Sequence, residues 1–364
     1  MVHTLELFRK ISHTEYYYLD RALKTLSKKL GTTYFNDNPQ NDDVKIYKCF
    51  TYNGITITLR KKYLGNDITY RKIQIELNPK RLQIPGEFIE VSSQENLINI
   101  NKTFKKIMKE LRVEYNRLDK YAPKFIFDLL EKYTVKRVDY SVNIFHEHYL
   151  KMMELIIRSD IPNKFQPFLK YDSKAKRKVM PKHSFYLTGK SKSVIINIYS
   201  KYDQMKEDEY FKDMDISKAK GILRFEIQCM SQKVDNIRKL YKLKNKTFFD
   251  IATNEIAEDI LVYYLERTMG LEDYHTLKLA RKKVNENGSV RKKTKEEMIK
   301  LLEFVNEKRS IPKARRSFSE GEKRFDILLE KIKKIGVNPV TIPINWGIDY
   351  LPNPIHEIIR HFVP

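Results

Sequence analysis

The sequence predicts an α+β fold with a mainly antiparallel central sheet built from two similar halves, helices on one face and a helical C-terminal region. Three observations predict it. Short alternating runs bounded by turn residues occur in two separate regions, and amphipathic helical stretches follow each. Segments of the two regions look alike: ITLRKKY (Ile57 to Tyr63) sits beside INIYSKY (Ile196 to Tyr202), and RKIQIELNPKRL (Arg71 to Leu82) beside LRFEIQCMSQKV (Leu223 to Val234). Strand-like features then fade after Gly270. The expected organisation is an N-terminal DNA-binding half over 1–133, a catalytic half over 134–270 and a helical region with a proline-containing tail over 271–364.

Taken in order, Leu5 to Leu30 reads as one helix or two, with an apolar stripe through Leu19, Leu23 and Leu26. Asn36 to Asp43 is a polar linker. Ile46 to Thr51 and Ile55 to Leu59 meet across Asn53-Gly54, a strong hairpin signal. Tyr70 to Leu77 alternates as a strand and stops before Pro79. Leu97 to Leu118 reads as a long helix and Phe125 to Lys132 as a shorter one. In the second region, Lys136 to Phe145 is a strand and Tyr149 to Arg158 a helix. Lys170 to Lys182 reads as a charged loop. Ser184 to Leu187 and Val194 to Tyr199 form a hairpin around Gly189, and Leu223 to Cys229 is a further strand. Helices follow over Ser231 to Leu240 and Thr247 to Met269. Glu296 to Lys308 and Glu320 to Ile335 are amphipathic helices joined by a basic linker, Ser310 to Ser319. The tail, with Pro339, Pro343, Pro352 and Pro354, is extended before a last short helix.

The chain has 364 residues, with Lys+Arg 70 against Asp+Glu 47, a formal net charge of +23. The charge is spread along a chain apolar enough to fold. Such a body attracts a polyanion, most simply nucleic acid, although a lysine-rich composition from an AT-rich genome has the same charge. Two cysteines, Cys49 and Cys229, make no disulfide framework, and no zinc-ligand spacing is present. No apolar stretch approaches the roughly 18 residues of a membrane span. A reducing cytoplasm and no membrane partner are therefore expected. Glycine-rich phosphate loops are absent, so nothing indicates a nucleotide-driven motor.

Alternation places the polar groups of three strands on single faces. Arg137, Asp139, Ser141 and Asn143 share one face of VKRVDYSVNIF; Asn197, Tyr199 and Lys201 share one face of VIINIYSKY; Arg224, Glu226 and Gln228 share one face of LRFEIQC. If the strands are neighbours, one surface displays two carboxylates, a tyrosine, a lysine and two arginines. Two carboxylates can hold a hard cation, Mg²⁺ or Mn²⁺, that polarises a phosphodiester. A tyrosine, weak at its ordinary pKa of about 10, needs such help to attack phosphorus. The same alternation also describes any half-exposed antiparallel strand, with Arg-x-Asp and Arg-x-Glu as cross-strand ion pairs.

Taken together, KRVDYSVNI, NIYSKYDQ and ILRFEIQC resemble the replication proteins of filamentous phages, of the gene II and gene X type, and the related Rep_trans plasmid initiators of rolling-circle replication. IELNPKRL is similar to the phage segment before the first long helix. The ordered likeness runs from about Lys72 to Ala257, roughly half of the chain. It implies a Rep-type, HUH-like sheet and origin-specific nicking through a phosphotyrosine. By that resemblance Tyr199 is the nucleophile, Lys201 the lysine beside it, Asp139 and Glu226 the metal carboxylates, and Arg137 and Arg224 the family's arginines. The plasmid initiators often carry a second acidic residue after the first aspartate, where this chain has Ser141 and Asn143, so the metal shell departs from the pattern.

Arg137 and Arg224, which could instead orient the carboxylates, are candidate phosphate contacts, as are Lys190, Lys192, Arg315 and Arg316. The expected partners are origin DNA, as duplex and single strand, a host helicase and a second copy of the chain. A relaxase of a conjugative or integrative element with the same chemistry, a non-catalytic DNA-binding regulator, and an RNA-binding protein are the alternative readings. His146-Glu147-His148 resembles the His-hydrophobic-His metal motif of other nicking enzymes, but its middle residue is charged, and a solvated turn is the simpler reading. Tyr202 falls on the face opposite Tyr199 if the strand continues.

Overall fold

The computed structural model describes residues 1–37, 46–64, 67–118, 123–124, 127–172, 177–179 and 184–362. Most of the expected linker Asn36 to Asp43 and part of the loop Lys170 to Lys182 lie outside the described residues.

The chain opens with a strand, β1 (Val2–Ile11), not the helix expected from Leu5. Val2, Leu5 and Leu7 are buried within it. The helix α1 (His13–Leu30) begins only at a capping box, in which Ser12 and Glu15 satisfy each other's backbone N–H groups, and Gly31 ends it in a left-handed turn. Its stripe of Leu19, Leu23 and Leu26 is buried, as the periodicity predicts. Strands β2 (Tyr34–Asp37), β3 (Ile46–Tyr52), β4 (Ile55–Leu64) and β5 (Asp67–Leu77) follow as an antiparallel run. The β3–β4 turn is the predicted Asn53-Gly54, with φ of 41° and 79°. Then come α2 (Pro79–Gln83) and α3 (Leu97–Leu118). The expected helix over Phe125 to Lys132 is, in its described part, only a 3₁₀ turn at Leu130–Lys132.

The second half repeats this order. It runs β6 (Thr134–Phe145), α4 (Tyr149–Ile157), β7 (Phe165–Pro167), β10 (Ser184–Gly189), β11 (Val194–Ser200), α5 (Lys201–Glu207) and β12 (Ile222–Cys229). A small side pair, β8 (Lys170–Asp172) with β9 (Arg177–Val179), is inserted after β7. Helices α6 (Ser231–Leu240), α7 (Phe248–Ile251) and α8 (Asn254–Met269) follow. The C-terminal region holds β13 (Tyr274–His275), α9 (Leu277–Glu286), α10 (Lys292–Lys308), α11 (Ile311–Ser317), α12 (Glu322–Lys334), β14 (Tyr350–Leu351) and α13 (Ile355–Phe362). The segment expected to be a basic linker is therefore the helix α11, started by the Ser310 cap with proline in its first turn.

The fold is α+β, with a ten-stranded sheet in the order β2-β3-β4-β5-β1-β6-β12-β11-β10-β7. Read outward from the centre, each half has the same plan: a lead strand, then the last strand of the half, then the strands before it in reverse. One face of β1, β4 and β5 is apolar through Leu5, Leu7, Ile57, Leu59, Ile73 and Ile75, all buried. Lys61, on that face of β4, covers the ring of Tyr16 in α1, so α1 lies on the apolar side. Two compact units interleave along the chain, 1–141 with 228–257, and 142–227 with 258–364. The expected boundaries at 133 and 270 divide the chain instead by sheet half and helical region. Among the described residues no helix is long and apolar enough to cross a membrane.

Gly54 is the tightest point of the β3–β4 turn. A Cβ there would meet Leu82 N at 2.7 Å and Arg81 C at 2.9 Å, on top of the left-handed φ. Gly54→Ala should therefore cost about 2 kcal/mol or more, read as a lower urea midpoint. Gly288→Ala, which opens onto empty space, should leave the midpoint nearly unchanged.

Candidate active site

The centre of the sheet brings chemistry-bearing residues of β1, β6 and β12 together. On β6, Asp139 is 1% exposed, and Glu226 on β12 is 3% exposed. The ligand atoms of His3, Asp139 and Glu226 all lie within 4.8 Å of one another, so the two strands do present their carboxylates on a common face. This is the one such His/Cys/Asp/Glu group among the described residues. The strand order that allows it is β1 beside β6 and β6 beside β12.

His3 is the residue that sequence reasoning missed. It reaches the carboxylates because β1 is a strand and because the β1–β6 register slips between Val2 and Thr4, opposite Tyr140 and Asp139. Such a bulge re-aims a side chain. The available signal was the alternation of VHTLEL, obscured by the helical pattern that begins a few residues later.

Buried carboxylates need partners. Arg137 provides one: its Nε and Nη2 donate to the two oxygens of Asp139 at 2.8 and 2.5 Å. A carboxylate has about four lone-pair sites, so this fork leaves Asp139 with acceptor capacity facing the group. Arg224 has no exposed surface, and its Nε donates to Asn143 Oδ1 at 2.8 Å. The structure departs from its expected role as a phosphate contact: the guanidinium is fully buried and braces β12 against β6.

Tyr199 lies on β11, the strand beside β12, and is 8% exposed. Asn197 and Tyr199 stand on the face opposite Ile196 and Ile198, as alternation predicts. Tyr199 is directly opposite Ser184 of β10. The expectation for Lys201 needs correction. The strand stops at Ser200, whose hydroxyl caps α5 by accepting from Asp203 N, and Lys201 is the first helical residue. Lys201 is thus not on the strand face of Tyr199 by alternation. It is buried, and its Nζ donates to Gln204 Oε1 at 2.7 Å. Tyr202 also belongs to α5, not to a continuing strand.

The other candidates are scattered. Lys190 and Lys192 are exposed at the β10–β11 turn, where Lys192 has a φ of 55°. Arg316 is exposed on α11. Arg315 is not available as expected: it forks onto Asp160 at 2.7 Å for both bonds and bonds Asp326 at 2.8 Å. These carboxylates hold the guanidinium above the ordinary arginine range, against the opposing effect of burial, the largest single influence. His146 and His148 sit in the turn after β6, where His148 N donates to His146 Nδ1 at 3.0 Å. Burial first, and His148 second, hold His146 below the usual imidazole range.

No protein-family model matches this chain, and no curated protein does. A solved structure of a rolling circle replication initiator protein from Geobacillus stearothermophilus is similar over 74% of this chain and 84% of that one, with 14% identity and a TM-score of 0.34. The di-domain ARO/CYC StfQ from the steffimycin biosynthetic pathway is similar over 72% of this chain and 99% of that one, with 6% identity and a TM-score of 0.17. Likeness at these levels carries no argument about activity, which rests on the residues themselves.

The Arg315 fork has a stability consequence. Asp160→Asn leaves a half-buried guanidinium with one carboxylate in place of two. The expected loss is about 1–3 kcal/mol, below the cost of breaking a fully buried pair because both side chains keep some exposure. A chemical-denaturation midpoint checks it.

Proposed function

We propose that this chain is a rolling-circle replication initiator that nicks and rejoins one DNA strand at an origin through Tyr199. The observation that carries the reading is the group of half-buried His3 with buried Asp139 and Glu226 on the central strands, with Tyr199 on the strand next to β12. The likeness of the three strand motifs to the phage and plasmid initiators supports it.

In this reading the Tyr199 oxygen attacks phosphorus. The bond from phosphorus to the 3′ oxygen breaks, that oxygen takes up a proton, the phenolic proton is lost, and a 5′-phosphotyrosine remains. Attack by a 3′ hydroxyl on the phosphotyrosine reverses the step and rejoins the strand. A tyrosine is poorly nucleophilic near neutral pH, so the site must favour charge on the phosphate oxygens. His3, Asp139 and Glu226 would hold a divalent cation, which when bound polarises the phosphate. Two carboxylates with one imidazole fit Mn²⁺ better than Mg²⁺, whose preference is for oxygen donors alone. Arg137 positions Asp139, and Arg224 with Asn143 holds β12 in place. The Lys201 amine, at the start of α5, would contact the phosphate in place of Gln204 Oε1. Lys190, Lys192 and Arg316 bind flanking phosphates, and the first sheet half binds duplex origin DNA.

A second reading is a DNA-binding regulator without catalysis. The observation that favours it is the Arg137–Asp139 fork, which already neutralises one carboxylate.

Supercoiled plasmid carrying the DNA that flanks the gene separates the two. With Mn²⁺, the wild type should produce open circles and a covalent protein–DNA adduct, and Tyr199→Phe should lose both. Unchanged nicking by Tyr199→Phe would move the nucleophile elsewhere, with Tyr202 next to test. Tight binding without nicking would favour the regulator. In a separate titration, Asp139→Asn and Glu226→Gln should each weaken Mn²⁺ binding roughly tenfold or more, followed by the spin-resonance signal of free Mn²⁺. Unaltered affinity in both variants would place the cation elsewhere.

A further inference from the structure

The antiparallel β1–β6 pair has a local two-fold arrangement. Leu5 is opposite Val138, Thr4 is opposite Asp139 and Glu6 is opposite Arg137. Each residue pair therefore has its mirror, with Glu6 standing in the first half where Asp139 stands in the second. The motif alignment extends the correspondence. Arg60 on β4 stands at the place of Tyr199, Gln74 on β5 at that of Glu226, and Lys72 at that of Arg224. The first half thus keeps one acid of the metal group, has an amide for the other, and has a cation in place of the nucleophile. It has the frame of the site without its chemistry.

Beyond Glu6 and Glu76, which stand opposite each other on this face, the first half carries a row of positive charge. Directly opposite residues on neighbouring strands share a face. Lys10 is opposite Lys72, and Lys72 is opposite Arg60, so three cations form a row across β1, β5 and β4. Adjacent strands are about 4.8 Å apart, so the row spans roughly 10 Å. Lys136 joins the same side, its Nζ 4.6 Å from the centre of the Phe8 ring, and Phe8 is opposite Gln74. Lys10 is exposed, and Lys72 and Arg60 are half-buried. Burial first, then Arg60, depress the Lys72 ammonium, with Lys136 adding to the effect and Glu6 alone opposing it. Like charges placed directly opposite one another destabilise a sheet. A row of them on one face is relieved by a bound polyanion.

We infer that the row Lys10, Lys72 and Arg60 is a phosphate-binding track that holds the DNA backbone without cutting it, a non-cleaving counterpart of the candidate active site. The DNA partner rests on the proposed function, but the binding does not require Tyr199 chemistry. The track recognises phosphate charge and carries no base-reading element, so it binds without sequence preference.

The test uses the full chain with a Tyr199→Phe background, so that cleavage does not enter the measurement. Fluorescence anisotropy follows affinity for a short random-sequence duplex and for a single strand, between about 50 and 200 mM NaCl. Replacing Lys10 and Lys72 together by Gln should weaken binding roughly tenfold at the lower salt. It should also reduce the slope of log affinity against log salt by about 1.8 for duplex, or about 1.4 for single strand, for two lost phosphate contacts. Whichever substrate shows the loss identifies the form of DNA held there. The Lys10→Arg and Lys72→Arg double variant keeps the charge and should retain both affinity and slope. Unchanged affinity and slope for both substrates in the Gln variant would overturn the inference, as would equal losses in the Arg variant. Failure of the nicking assay alone, with this salt-slope change intact, would count against the initiator reading and leave the track standing.

Discussion

The antiparallel pairing of β1 with β6 is the constraint on which the rest depends. It runs through the middle of the sheet, with Leu5, Leu7, Val135 and Val138 buried along it. One-residue slippage would move these side chains to the polar face, so burial pins the register. That register has two consequences. It carries His3 to Asp139, and it sets Glu6 opposite Arg137, giving the two halves their reciprocal arrangement. The pairing yields at two places, between Val2 and Thr4 and between Glu6 and Leu7, and the first is at the candidate site.

Around that pairing the sheet carries charge that would be costly without partners. Asp139, Glu226 and Arg224 are almost wholly removed from water. The solution is local and paired: a two-pronged Arg137–Asp139 contact, an Arg224–Asn143 bond and an imidazole facing both acids. Such groups are weak contributors to stability and strong determinants of geometry. A site of this kind is held to a narrow shape by its own contacts.

The two halves share a strand plan and differ in the side chains it carries. The same strand order is used twice, yet the polar face of the second half carries carboxylates and a tyrosine, while that of the first carries Lys10, Lys72 and Arg60. The difference lies in a few side chains at corresponding places, not in the backbone plan.

The sequence by itself determined the strands whose alternation is unbroken. The Asn53-Gly54 hairpin, the faces of β6 and β12, the buried stripe of α1 and the likeness of the two halves were all legible, because each depends on neighbours along the chain. Where the reading failed, the deciding partner was distant. The strand β1 was read as helix because its pairing with β5 and β6 outweighs local pattern. Lys201 left the strand face because Ser200 caps a helix there, and α11 formed where charge suggested a linker. Arg315 carries the charge of a DNA contact in the sequence, but Asp160, far away along the chain, holds it. Only the tertiary structure decided that His3 joins Asp139 and Glu226. No spacing in the chain encodes that meeting; the register between strands creates it.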